Sequence, residues 1–265
     1  MIEIRSSLLS SCAACCNVQV TFTRSLHLTV SSGRYATSVE IADAIPSTLL
    51  SGEASFICRV ATGPQLSAAE REDVWQIFED NMKGLYVKSI FGWDPPTKRH
   101  ELFHRLARYI LIYGPQTEQN GSASGQATLP LVAYVGFRFE DEDGENVLYC
   151  YELQVSNVSQ RHGLGKFLMQ QLSNVGRHWQ MRKVMLTVLK ANAAAKKFYE
   201  SQGFTLDPSS PEYYGNVKLI QASGEPGESE EVCGKTAENG DDSWEDEDEA
   251  EDCDYEILSK AITGL

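Results

Sequence analysis

One stretch limits the folds open to this chain more than any other. It is Val147-Leu148-Tyr149-Cys150-Tyr151-Glu152-Leu153-Gln154-Val155, followed closely by Gln160-Arg161-His162-Gly163-Leu164-Gly165-Lys166-Phe167-Leu168. The first segment is β-branched, aromatic and aliphatic, with neither Gly nor Pro, and predicts a strand. In the second, Leu164, Phe167, Leu168, Leu172 and Val175 fall on one face of a helix. Glycines at 163 and 165 occupy the turn between them. A strand that passes through a glycine turn into a helix leaves backbone N–H groups free at the positive end of the helix dipole. That arrangement holds a phosphate or diphosphate, and glycine lets the backbone approach it without a Cβ in the way. Gly-x-Gly alone also occurs where only turn geometry requires it.

The spacing adds information. Gln160-x-x-Gly163-x-Gly165, directly downstream of a carboxylate-bearing strand, resembles the acetyl-CoA diphosphate signature (Arg/Gln-x-x-Gly-x-Gly/Ala) of the GNAT acyltransferases. The strand Val184-Met185-Leu186-Thr187-Val188, the run Asn192-Ala193-Ala194-Ala195-Lys196-Lys197-Phe198-Tyr199 and then Gly203-Phe204 follow in the order of that family. The resemblance implies an α/β GNAT fold: a mixed twisted sheet with helices on both faces and a splayed central strand. It implies acetyl-CoA as co-substrate and no metal. The pantetheine arm would meet the backbone of Leu153, Gln154 and Val155; the diphosphate would meet Arg161, His162, Gly163, Leu164, Gly165 and Lys166; Asn192 would lie beside the cofactor.

Acetyl transfer to an amine also needs a group to take a proton. Glu152 is the candidate, an acid embedded among apolar and aromatic residues, where desolvation disfavours the charged form. Tyr151 could orient the amine or relay its proton. In a regular strand neighbours point to opposite faces, so Tyr151 and Glu152 line one site only if the strand is irregular, as at a bulge. Cys150 alternates away from Tyr151 and has no evident His partner; it reads as a buried thiol, and direct transfer without a covalent intermediate is expected.

A closer resemblance lies in Val-Leu-Tyr-Cys-Tyr-Glu at 147–152, Gly-Leu-Gly-Lys-Phe-Leu at 163–168, Lys-Val-Met-Leu-Thr-Val at 183–188, Asp-x-Ser-Ser-Pro at 207–211 and Cys-x-Tyr-Glu-Ile-Leu-Ser at 253–259. These are similar to the NatD-type N-alpha-acetyltransferases, which act on histone tails beginning Ser-Gly-Arg-Gly, those of histone four and histone two-A. The resemblance spans roughly residues 55–211 and 252–260; Phe91 stands where that family usually carries Trp. It implies Glu152 as the essential proton-handling carboxylate, with Tyr151 beside it. It further implies a peptide pocket from Tyr86, Tyr151, Thr187, Ser209 and Tyr255, and acids at Glu140, Asp141 and Glu142 facing the substrate arginine. A guanidinium seeks carboxylates in a fork. The expected partners are therefore histone N-terminal tails, with no direct nucleic-acid binding, no membrane, and a monomer without an auxiliary subunit, in cytoplasm and nucleus.

Elsewhere the chain reads coarsely. Residues 1–50 form a Ser/Thr-rich, poorly ordered lead-in, 51–211 a catalytic domain, 212–251 an acidic disordered insertion, and 252–260 a closing strand. Ser67 with Glu70 predicts a capping box opening a helix through Val74, Ile77, Phe78, Met82 and Leu85. Pro95-Pro96 predicts a turn before a helix over 97–106. Strands are expected near 55–60, 108–113 and 131–139, with a flexible connection over 114–128.

The net charge of −14 is local: residues 225–254 hold fifteen acids against Lys235, and the other 235 residues hold twenty-two of each sign. No apolar run approaches the ~20 residues of a membrane helix. Seven scattered cysteines fit a reducing compartment rather than a disulfide framework. Two other functions fit the same residues: a GNAT enzyme for lysine or small amines, and an acidic histone-binding module whose catalysis is vestigial.

Overall fold

The computed structural model describes residues 33, 35–51, 54–114, 129–213 and 253–262. The expectations for residues 1–32, for 115–128 and for the acidic segment beyond residue 213 lie outside these. Eight strands form one sheet in the order β1-β2-β3-β4-β5-β6-β8-β7. They are β1 (Thr48–Ser51), β2 (Ala54–Thr62), β3 (Arg108–Tyr113), β4 (Leu131–Glu142), β5 (Glu145–Val155), β6 (Lys183–Leu189), β7 (Thr205–Leu206) and β8 (Tyr255–Ala261). Every neighbouring pair is antiparallel except β5 with β6, which is parallel.

Helices cover both faces, and strand alternation decides which residues meet them. From β3 and β4, Ile110, Ile112, Val135, Phe137 and Phe139 pack with Leu164, Leu168 and Leu172 of α4 (Leu164–His178) and with Tyr199 of α5 (Ala193–Ser201). Their neighbours Tyr109, Leu111 and Tyr134 pack the other way, against Val74 and Ile77 of α2 (Ala68–Tyr86). The expected capping box opens α2: Ser67 Oγ accepts from the Glu70 N–H at 3.2 Å and Glu70 Oε2 from the Ser67 N–H at 2.9 Å.

Two expectations change. Order within the lead-in starts well before residue 50, with α1 (Ser38–Ala42) and then β1. A second capping box, Thr37 with Glu40, opens α1, and buried Ile41 docks it on the sheet. Pro95 and Pro96 are the first turn of α3 (Pro95–Leu102) rather than a turn before it, and α3 stops at Leu102 instead of 106. Proline suits that place because first-turn N–H groups have no intrahelical partner and its φ is already helical. The side chain of Asp94 accepts from the Thr97 N–H at 3.2 Å and completes the cap.

Candidate active site

Two irregularities in β5 build the site. The first is a bulge. Gly136 of β4 pairs with Glu152 but Phe137 pairs with Cys150, which leaves Tyr151 as the extra residue. Before it, Leu148 and Cys150 belong to the core beneath α4, whereas Val147 and Tyr149 face the other side. After it, Leu153 and Val155 pack toward the α4 side, so Glu152 and Gln154 join Tyr149 and Tyr151 on the face of α2 and α3. The bulge is thus what brings Tyr151 and Glu152 to one side. The second irregularity is a splay. β5 pairs with β6 only from Val147 to Cys150, while β6 continues to Leu189 against β8. Beyond Cys150 the two strands part, and residues 152–155 keep a strand partner only in β4 among the described residues.

A cavity of about 1540 Å³ occupies the split. At one end lies the glycine turn. Gly163 caps α4 with φ 77°, a left-handed conformation suited to glycine, and no side chain caps that helix. A Cβ on Gly165 would lie 3.3 Å from the Phe198 ring of α5, so glycine there allows the two helices to close on each other. Arg161, Lys166 and Lys197 bring positive charge to the same end of the cavity. Asn192 lines it too, but its side-chain oxygen is used as the cap of α5, accepting from the Ala195 N–H at 3.2 Å.

At the centre, Glu152 is only 6% exposed. Its surroundings are not the apolar slot that its sequence neighbours suggest. Lys98 Nζ of α3 lies 2.8 Å from Oε1, and Gln154 Nε2 donates to Oε2 at 2.8 Å. Lys98 also pairs with Glu101 at 2.9 Å. Burial works against its ammonium, but the charges of Glu152 and Glu101 outweigh this and hold Lys98 well above the ordinary lysine value. Burial, then the Glu152 charge, push the Tyr86 phenol up to about 12, so it stays protonated at neutral pH. Burial, then the same charge, push the Cys150 thiol up as well, which suppresses the thiolate a nucleophile would need.

The far end is aromatic and acidic. Tyr151 donates to Glu140 Oε1 at 3.4 Å, and its ring lies under the Arg138 guanidinium at 4.0 Å. Tyr149 and Thr187 share a hydroxyl–hydroxyl hydrogen bond across the β5–β6 split. Tyr86, Phe91 and Tyr255 form a wall, with ring centroids 6.2 and 5.4 Å apart in succession. Asp254 steadies it by accepting from the Ile90 N–H at 2.9 Å. Ser209 donates to Asp207 Oδ1 at 2.6 Å.

Of the residues expected at the site, the cavity gathers Tyr86, Glu140, Glu142, Tyr151, Glu152, Leu153, Gln154, Val155, Arg161, Gly163, Leu164, Gly165, Lys166, Thr187, Asn192, Ser209 and Tyr255. It does not gather His162 or Asp141. The His162 ring bonds the Ser159 carbonyl and its own carbonyl accepts from Ser51, both at the surface. The Asp141 carboxylate closes the β4–β5 turn on the Gly144 N–H, while Asp143 takes a place on the lining. The Val155 carbonyl, expected free for a ligand, already accepts from Asn81 at 3.0 Å and Gln160 at 3.3 Å. Sequence reasoning missed Lys98, Asn81 and Arg138. Arg138 could have been found as a lone cation inside the apolar run of β4. Lys98 sits in a short, highly charged helix and carries no such signal.

The Acetyltransferase (GNAT) family matches residues 72–204, half of the chain. Among solved structures, an acetyltransferase of the GNAT family from Staphylococcus aureus aligns at 10% identity over 77% of this chain and 99% of its own, with a TM-score of 0.45. Ard1 from Thermoplasma volcanium aligns at 12% over 78% and 99%, TM-score 0.43. Arabidopsis thaliana Naa50, in complex with a bisubstrate analogue, aligns at 15% over 77% and 97%, TM-score 0.41.

Proposed function

Because the chain belongs to the GNAT acetyltransferase family, we propose that it moves acetyl from acetyl-CoA directly to the α-amine of histone tails that begin Ser-Gly-Arg-Gly, as a NatD-type enzyme. The observation that carries the reading is the placement of Glu152 by the β5 bulge, beside Tyr151, between the glycine turn and an acidic, hydroxyl-rich pocket. Acetyl-CoA would supply an acetyl group activated as a thioester. The first turn of α4, with Arg161 and Lys166, would hold its diphosphate, and the open edge of β5 at Leu153 and Gln154 would face its arm.

On the peptide side, Glu140, Glu142 and Asp143 suit a guanidinium near the amine. The small serine fits among the hydroxyls of Tyr151, Thr187 and Ser209. Transfer forms the C–N bond as the C–S bond breaks. The proton given up by nitrogen passes to Glu152, through water or Tyr151, and the departing thiolate is protonated from solvent. An α-amine ionises near 8, against about 10.4 for lysine, so a carboxylate is a sufficient acceptor for it. Free or nascent histones in cytoplasm and nucleus would be the substrates, met by a monomer.

The test is mass spectrometry of a Ser-Gly-Arg-Gly peptide incubated with acetyl-CoA and the protein, beside a peptide with a blocked N-terminus and a free lysine. Acetylation of the first at least tenfold faster is expected, with Glu152→Gln slowing it about a hundredfold while acetyl-CoA binding persists. Faster modification of the ε-amine would assign the enzyme to lysine instead. Binding of histone without any transfer would favour the module with vestigial catalysis.

A further inference from the structure

The buried cation beside Glu152 has no part in the chemistry above. An ammonium taken out of water costs several kcal/mol unless it is well paired. The partner on its own helix, Glu101, is the more exposed of its two carboxylates. Glu152 comes from the far side of a bulge in another element, and its burial makes the pairing expensive for both. Apolar side chains would fasten α3 to β5 as well or better, since buried ion pairs add little net stability. The position of this pair is therefore better explained by what it does to Glu152.

The geometry is one of orientation. Glu152 has three side-chain torsions, and both its oxygens are tied: Oε1 to Lys98, Oε2 to Gln154. Gln154 is itself held through its oxygen by Asn81 Nδ2 at 3.0 Å. The chain Asn81–Gln154–Glu152–Lys98–Glu101 thus runs from α2 across β5 to α3 along the cavity. Lys98 is also packed over the rings of Phe78 and Tyr86, at 5.2 and 5.4 Å, which limits its own movement. Two carboxylates and one ammonium leave the cluster at −1. That is the charge an arriving ammonium can neutralise before it gives up its proton.

We propose that Lys98 is a positioning residue for acetyl transfer, its ammonium wedged between Glu152 and Glu101 so that the Glu152 carboxylate is held in one orientation on the cavity wall. The proposal rests on the reading of Glu152 as proton acceptor. The other charged or titratable groups facing Glu152 are Tyr86 from α2, Glu101 from α3, Tyr109 from β3, Tyr134 from β4, Cys150 on its own strand and Tyr199 from α5. Arg138 of β4 brings a second cation to the cavity, but it lies over the Tyr151 ring and donates to the Glu101 carbonyl rather than to either carboxylate, so removing Lys98 takes away the ammonium that Glu152 and Glu101 share. One of them must then take up a proton at higher pH than before.

The experiment compares pH profiles of kcat/KM for the full chain, wild type against Lys98→Met and Lys98→Arg, on the serine-start peptide. For Lys98→Met the acidic limb should move up by about one pH unit or more. Its kcat at pH 7 should fall at least tenfold, with KM for acetyl-CoA within twofold of wild type. Lys98→Arg should return the limb to its wild-type position. A Lys98→Met profile that overlays the wild-type curve after scaling means a loss of folded protein only and overturns the proposal.

If Lys98→Met does not fold, Lys98→Met/Glu101→Gln, which removes one charge of each sign, takes its place; there the limb should still move up, because Glu152 is left buried without the cation it touches. The Glu152 carboxyl can also be followed without turnover, by 13C NMR of glutamate-labelled protein, its signal identified by loss in Glu152→Gln. It should titrate at least one pH unit higher in the double variant, and an equal titration overturns the proposal. Wild-type protein that transfers no acetyl to any amine while this NMR shift appears would count against the proposed function, not against the role of Lys98.

Discussion

Asp207 illustrates how a single side chain serves the site from behind it. It is buried beneath the cavity lining, where it receives Lys183 at 2.8 Å and the hydroxyl and N–H of Ser209 at 2.6 and 3.0 Å. Burial opposes its ionisation, but these bonds prevail and hold its carboxyl at about 2, below the ordinary 3.8. A depressed folded value stabilises the protein above the unfolded value, and that gain is lost as pH falls from about 4 through about 2. Asp207→Asn should therefore cost roughly 1–2 kcal/mol at pH 7, after allowance for solvent screening. Urea unfolding at pH 7, 4 and 2.5 checks this: the gap between wild type and variant should narrow steadily toward the lowest pH. A gap that stays constant would mean that packing, not charge, accounts for Asp207. The resemblance points to Ser209 but not to the residue that fixes it, because a carboxylate two positions away looks like any turn acid until Lys183 is seen beside it.

At the scale of elements, periodicity carried most of what could be read. The apolar runs of β3 and β4, the apolar face of α4 and the capping box of α2 are local patterns, and each appears where the sequence places it. The need for an irregular β5 also follows from sequence once Tyr151 and Glu152 are both required, although its form, with Tyr151 as the extra residue opposite Gly136 and Phe137, does not. What could not be read depends on elements distant in sequence. Lys98 reaches Glu152 only because Pro95 and Pro96 start α3 early enough to aim it at β5. The glycine turn was legible, and its role makes a prediction at this scale. Gly163 holds φ 77° with nothing within 4 Å of where a Cβ would stand, so a substitution there is felt through the backbone alone. Gly163→Val should lose about 1–2 kcal/mol of stability and bind acetyl-CoA roughly tenfold more weakly, as the N–H groups at the start of α4 turn away. Gly163→Asn, which tolerates the left-handed region, should stay close to wild type in both. Thermal unfolding and calorimetric titration with acetyl-CoA separate the cases; equal binding by all three proteins would show that this turn does not grip the co-substrate.

For the whole molecule, the proposed function requires a domain of balanced charge to find a strongly basic partner. Outside residues 225–254 the chain balances twenty-two acids against twenty-two bases. Glu140, Glu142 and Asp143 line the cavity and, on the proposed reading, would act at contact distance on the first residues of a tail. Their reach in solution is limited by a screening length of roughly 8 Å at physiological salt. The acids of residues 225–250 could extend it, since a concentrated like charge raises the encounter rate of an oppositely charged partner, and does so less as salt is added. Deleting 225–250 removes twelve acids and one lysine and takes the net charge from −14 to −3. Turnover of a four-residue peptide should change less than twofold, because such a peptide is short enough to be held by the cavity alone. With full-length histone four, kcat/KM should fall several-fold at about 50 mM salt and converge on wild type near 0.5 M, where screening reaches roughly 4 Å. The salt series is what decides between roles. A loss that persists at high salt would place the segment in contact with substrate, a loss of short-peptide turnover would make it part of the catalytic fold, and no loss at any salt would leave recruitment to the cavity acids.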